Sequence, residues 1–148
     1  MVTFAGTQDD IKDFVTTLIS LERDAIAAYE ETIERLENQE IADKIREFRA
    51  DHLHHVQGLT EVAKEIGCDD IPGEGPKSML TKGKVILADL GGDDAILKAM
   101  KTNEDDTVKA YENAVANDVT KTGKLAEICE KALEDEKRHR AYMEQQAA

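Results

Sequence analysis

A chain of 148 residues with 41% hydrophobic and only 4% aromatic residues, and no Trp, is long enough to bury one core. That core must be built mainly from Leu, Ile, Val and Ala. The net charge of −13, with no basic stripe to relieve it, argues against nucleic acid and anionic membrane surfaces as partners. No stretch approaches the roughly 20 apolar residues of a membrane span, and residues 1–6 lack the basic start and apolar run of a leader, so a cytoplasmic protein is expected. Strand formers are scarce while Ala, Glu, Lys and Leu abound, which predicts a single all-α domain over residues 1–148.

The first helix is expected to open near Thr7, where Thr7 and Asp10 stand at capping-box spacing with Asp in place of Glu. Ile11, Val15, Leu18, Glu22, Ala25, Tyr29 and Leu36 then recur at steps of four and three, with Thr32 filling the remaining step. Asn38-Gln39 marks a tight turn, so the second helix should run antiparallel to the first. Its stripe is Ile41, Ile45, Phe48, His52, His55, Leu59, Val62 and Ile66, and Gly67 suits the residue just past its end. Asp69, Asp70, Pro72, Gly73, Gly75 and Pro76 make a turn-rich linker. Met79, Leu80, Val85, Ile86, Leu87 and Leu90 suggest a short helix within the crossover, weakened by Gly83 and closed by Gly91-Gly92. The third helix should open at Asp93 or Asp94, starting at the end of the bundle where the first one started. It carries Leu97, Met100, Glu104, Thr107, Tyr111 and Ala114. After Asn117-Asp118 the fourth helix carries Leu125, Cys129, Ala132, Glu136, His139 and Met143. Gly58 within the second helix permits close packing or a local bend. Cys68 and Cys129 show no metal or redox spacing and read as reduced thiols, Cys129 in the core.

The two halves repeat. The stretch from Glu22 to Glu30 matches Glu104 to Glu112 without a gap, with Glu, Asp, Tyr and Glu coincident. Asp51-His52-Leu53-His54-His55 aligns with Asp135-Glu136-Lys137-Arg138-His139. A bundle with pseudo-twofold symmetry and a site on its axis follows.

Glu22, His52, His55, Glu104, Glu136 and His139 therefore fall on the inner stripes. An inward carboxylate or imidazole costs desolvation energy unless it is paired or holds a metal. Residues three apart project from one helix face, so His52 with His55, and Glu136 with His139, can reach a common ion. Imidazole with carboxylate suits Fe, Zn, Mn or Co rather than Ca or Mg. The hydroxyls of Tyr29 and Tyr111 lie two turns along the same stripes, within reach of such ligands. Asp51 with His54 is the competing pair on the second helix, but it needs a rotation of ~100° away from the apolar stripe; Asp51 and His54 are expected at the rim. Asp105-Asp106 and Glu134-Asp135 read as solvated faces. The other reading of the stripes is a metal-free polar layer in a non-catalytic bundle, a homodimer, in which the layer serves specificity or stress-related interaction. No nucleophile elbow, phosphate loop or dinucleotide fingerprint is present.

The Glu-x6-Tyr pairs, Glu136-Lys137-Arg138-His139 and the long crossover resemble the ferritin-like superfamily, especially rubrerythrin-like di-iron proteins and small bacterial ferritin-like four-helix proteins of unknown function. The resemblance implies an antiparallel four-helix bundle with a crossover between helices two and three, and a dinuclear site with one Glu from each of two helices and a Glu-x-x-His from each of the others. Glu22, Glu104, Glu136 and His139 match that pattern type for type, whereas His52 stands where it expects Glu. Three carboxylates against two divalent ions leave a formal +1 and remove a bridging group, which counts against a di-ferric state and hence against ferroxidase, peroxidase or oxygenase activity. Zinc, a divalent pair with hydroxide, or a single occupied site fits better, within a candidate set of Fe, Zn and Mn. With iron, the resemblance implies reaction with O₂ or peroxide and a part in oxidative stress.

Overall fold

In the computed structural model, which describes residues 3–73, 91–120 and 123–147, the chain forms a bundle of four helices with no strand among the described residues. Helix α1 spans Ile11–Arg35, α2 Gln39–Glu65, α3 Asp93–Ala116 and α4 Lys124–Ala147, with a single 3-10 turn at Asp118–Thr120 between the last two.

The starts and stops have local causes. Asp10, not Thr7, caps α1: its Oδ1 accepts from the amides of Lys12 at 2.9 Å and Asp13 at 3.1 Å. The Thr7 hydroxyl instead donates to the Phe4 carbonyl at 2.6 Å, so the helix opens later than the Thr7 spacing suggests. An ionised Asp is the better cap because it also complements the positive end of the helix dipole. Asn38 caps α2 in the same way, through the amides of Glu40 and Ile41. Gly67 takes φ +78° past the end of α2, and the Cys68 amide reaches back to the Ala63 carbonyl at 2.9 Å.

The apolar stripes form two core clusters, one toward each end of the bundle. Phe14, Leu18 and Ile19 of α1 meet Leu59 and Val62 of α2, Tyr111 and Ala114 of α3, and Leu125 and Cys129 of α4. At the other end Tyr29 and Leu36 meet Ala42, Ile45 and Phe48, with Leu97 and Met100 of α3 and Met143 of α4. The beginning of α1 thus lies with the end of α3. Helix α3 starts at the end of the bundle where α1 finishes, not where α1 starts as expected from sequence. The Asp93 carboxylate fixes this, accepting from the amides of Glu37 and Asn38 at 2.9 Å each and tying the start of α3 to the α1–α2 turn. Residues 66–92 consequently join opposite ends of the bundle, which is why that connection has to be long. The short helix expected from Met79 to Leu90 lies outside the described residues.

The closest pairings are α1 with α2 and α3 with α4, while α2 also lies against α4. Gly58 serves the α2–α4 approach, since a Cβ there would stand 3.1 Å from Ile128 Cδ1. Cys68 and Cys129 are both free thiols, Cys129 fully buried. No helix among the described residues is long and apolar enough to cross a membrane.

Candidate metal centre

Between the two apolar clusters lies a layer of buried polar side chains contributed by all four helices. Glu22, His52, His55, Glu104, Glu136 and His139 are all in it, none more than 4% exposed. They form two overlapping groups, Glu22–His52–His55–Glu136 and His52–Glu104–Glu136–His139. Within each group one ligand atom per residue lies within 4.8 Å of the others. His52 and Glu136, the pair at which the two sequence halves differ, belong to both groups.

The hydrogen bonds cross between the halves. Tyr111 of α3 donates to Glu22 Oε2 of α1 at 2.5 Å, and Tyr29 of α1 donates to Glu104 Oε1 of α3. The tyrosine hydroxyls thus bond the glutamates, as their spacing suggested. His55 Nε2 donates to Asp135 Oδ2 of α4 at 2.8 Å, and His139 Nε2 donates to Asp51 Oδ2 of α2 at 2.8 Å. His55 and His139 therefore each have the outer nitrogen held by a carboxylate, which turns Nδ1 inward. His139 is also stacked on the Phe48 ring, with centroids 4.3 Å apart.

One expectation needs correction and another extension. Asp135, expected on a solvated face, is 4% exposed and bonds His55, with Lys131 and Arg138 holding its other oxygen. Asp51 is at the rim as expected but also anchors His139 there, with Arg138 donating to the same oxygen at 2.9 Å. His54 is exposed and joins neither group, so the competing Asp51–His54 pair is not assembled. Asp51 and Asp135 occupy equivalent places in the repeat, which was the sequence signal for their shared role. Thr107, which donates to Glu104 Oε2 at 3.0 Å, has no counterpart in the first half, where Ala25 stands.

The charges follow from these contacts. Burial alone would raise the Glu22 carboxyl, but His52 and His55 beside it hold it far below the usual carboxylate range through charge and hydrogen bonds, His52 Nδ1 at 2.6 Å and His55 Nδ1 at 3.0 Å. Burial works to lower both imidazoles, yet the surrounding carboxylates prevail: Glu136 and Glu22 lift His52 to about 10, and Glu22 with Asp135 lifts His55 to about 9. His139 is the opposite case, pushed down to about 4 chiefly by burial, so it is neutral at pH 7 with a lone pair on Nδ1. Burial and the neighbouring Glu136 raise Glu104 well above the ordinary range.

A few atoms are left over. Both carboxylate oxygens of Glu136 and His52 Nε2 are buried without a hydrogen-bond partner. The nearest basic atoms to Glu136 are His52 Nδ1 at 3.4 Å, His139 Nδ1 at 3.6 Å and His55 Nδ1 at 3.7 Å. The His52 and His55 imidazoles offset its charge and the raised Glu104 carboxyl lies against it, yet neither oxygen accepts a hydrogen bond of ordinary geometry, and a cation among these groups would satisfy both.

A family profile described as a domain of unknown function (DUF2383) matches residues 10–117. The chain belongs to this family. The matched span holds α1, α2 and α3, and with them Glu22, Asp51, His52, His55 and Glu104; Asp135, Glu136 and His139 stand on α4. Comparison with curated proteins and with solved structures gives no match.

Chemically, the layer offers imidazole nitrogens and carboxylate oxygens only, a donor set suited to Zn, Fe or Mn. His55 and His139 are oriented by outer carboxylates, and Glu22 and Glu104 by tyrosine hydroxyls, the kind of support that fixes a ligand's direction and basicity.

Proposed function

We propose that this protein is a metal-binding, ferritin-like bundle whose core holds a dinuclear or degenerate dinuclear site of a divalent transition metal, Fe, Zn or Mn. Glu22, His52, His55, Glu104, Glu136 and His139 are its ligands. The observation that carries the reading is Glu136, shared by both ligand groups and buried with neither oxygen bonded. Hydrogen bonds within the protein account for Glu22 and Glu104, whereas Glu136 meets the imidazoles at 3.4–3.7 Å and the Glu104 carboxyl without a hydrogen bond of ordinary geometry, which favours a cation at that point.

Three carboxylates rather than four set the charge. Glu22, Glu104 and Glu136 favour a divalent pair or one ion over a di-ferric centre, which needs more negative charge. A role in oxidative stress belongs to the iron-bound form and draws on the ferritin-like resemblance. A cytoplasmic setting suits the two free thiols.

A second reading draws on a specific observation. Glu22 accepts from two histidines and Tyr111, and Glu104 from Tyr29 and Thr107, so most of the layer is satisfied by the protein alone. On that reading the layer specifies helix register in a structural bundle. The test is metal content after chelation, incubation with Fe²⁺, Zn²⁺ or Mn²⁺, and desalting. One to two ions per chain, lost in the Glu136→Gln variant, is the expected result. A chain that emerges metal-free from all three sinks the metal reading in favour of the structural one.

A further inference from the structure

The six proposed ligands are closed off from solvent almost completely. Glu22, His52, Glu104, Glu136 and His139 are each no more than 1% exposed, and His55 retains 4%. A cation therefore needs a path, and a cavity reaches the layer from one side. This cavity of about 260 Å³ opens between α2 and α4, and His55 lines it. Room for several waters is available in that volume, since each occupies about 30 Å³ in the liquid. Both outer carboxylates, Asp51 and Asp135, line the same cavity, so the groups that orient His139 and His55 also face it. Around the rim stand His54 and Glu127, both exposed, and Lys131.

The geometry points to this α2–α4 mouth as the route by which a divalent transition-metal cation reaches the buried layer, with His54 and Glu127 as its outer contacts and the Lys131–Asp135 pair as its latch. The inference rests on the metal reading given above and adds where the ion passes. Four features support it. His55 is the ligand that touches the cavity. His54 and Glu127 put an imidazole and a carboxylate at the rim, donor types that a transition-metal cation accepts in place of its water. Lys131 and Arg138 offset Asp135 and Asp51, so Glu127 is the carboxylate at the mouth that favours the arrival of a cation. The latch can open on one side: Lys131 is 65% exposed in its side chain and can pass to water, while the buried Asp135 keeps Arg138 and His55 as partners. Releasing Lys131 leaves Asp135 held by Arg138 and His55 and removes a positive charge from the cavity rim.

The experiment reads the rate of Zn²⁺ uptake by the chelator-treated full chain, mixed rapidly with Zn²⁺ and a chromophoric competitor, together with Zn²⁺ stoichiometry at equilibrium. His54→Trp and Glu127→Lys change exposed positions and leave the fold intact. Both are expected to slow uptake roughly three- to tenfold at unchanged stoichiometry, and Lys131→Ala to speed it. Glu34→Lys, an identical charge change on an exposed α1 position outside the cavity, is expected to leave the rate near that of the parent. Rates for His54→Trp and Glu127→Lys equal to Glu34→Lys would overturn the route while leaving the metal site standing. Lost stoichiometry in His54→Trp would also overturn it, by making His54 a ligand. A parent chain that takes up no Zn²⁺ at equilibrium overturns the metal reading itself.

Discussion

At the scale of single residues, three histidines of one layer stand in two protonation states, His52 and His55 as imidazolium and His139 neutral. His55 donates through both nitrogens, to Glu22 and Asp135, and is held as imidazolium. His52 donates to Glu22 through Nδ1 and keeps Nε2 unpartnered. His139, neutral at pH 7, needs to lose no proton before it ligates. A cation entering the layer must displace protons from His52 and His55, whose values stand at about 10 and about 9. Zn²⁺ binding at pH 7 is therefore expected to release more than one proton per chain, seen in calorimetry as heats that vary with the ionisation enthalpy of the buffer. Affinity should rise with pH by up to about tenfold per unit for each proton released. Buffer-independent heats would show that neither imidazole gives up a proton. In the metal-free chain the sign reverses. Both histidines sit above their ordinary value of 6.5, so the stability they contribute is complete below pH 6.5 and lost as pH rises through about 9 to about 10.

At the scale of elements, the same substitution at two glycines should act in opposite directions. Gly6 has φ +88°, and a Cβ there would stand 2.4 Å from the Ala110 carbonyl oxygen, a backbone atom that cannot step aside. The segment is also pinned to α3 by Asn117 Nδ2, which donates to the Gly6 and Gln8 carbonyls at 3.0 and 2.8 Å. Gly6→Ala should cost more than about 2 kcal/mol, combining left-handed backbone strain with the clash. Gly58 lies inside α2 with ordinary helical φ, and the atom facing it is the tip of Ile128, a partly buried side chain free to move a few tenths of an ångström. There the gain in helix propensity, up to about 1 kcal/mol, should outweigh the contact. Denaturant unfolding of the two variants measures both; a stabilised Gly6→Ala or a strongly destabilised Gly58→Ala would contradict the packing described.

At the scale of the whole molecule, the bundle is two apolar ends separated by a polar middle. The ends supply hydrophobic stabilisation, since burying a side chain such as Leu18 or Leu97 contributes about 1.5–3 kcal/mol. The middle ties all four helices together through bonds from α1 to α3 and from α2 to α4. A cation there would bind the native state alone. At one hundred times its dissociation constant it adds about 2.7 kcal/mol, equivalent to roughly 5–10 °C in Tm for a domain of this size. Thermal melts with Zn²⁺ and with chelator should differ by that amount in the parent chain and converge in Glu136→Gln. Equal shifts in both would place the bound ion elsewhere.

The helices and their buried stripes were legible in the sequence because a 3.6-residue period is a local property. Glu22, Glu104, Glu136 and the histidines stood out because they interrupt that period where the two halves match. The start of α1 was less legible, since Thr7 and Asp10 both have capping chemistry and only the Phe4–Thr7 turn decides between them. By itself, then, the sequence determined four amphipathic helices, their inward polar residues and the departure at His52. The tertiary structure alone decided which end of the bundle α3 starts from, because an Asp93 carboxylate closing on the α1–α2 turn is a contact between distant residues. It alone turned Asp135 inward and aimed Asp51 at His139, because those bonds cross from helix to helix and leave no period in either one.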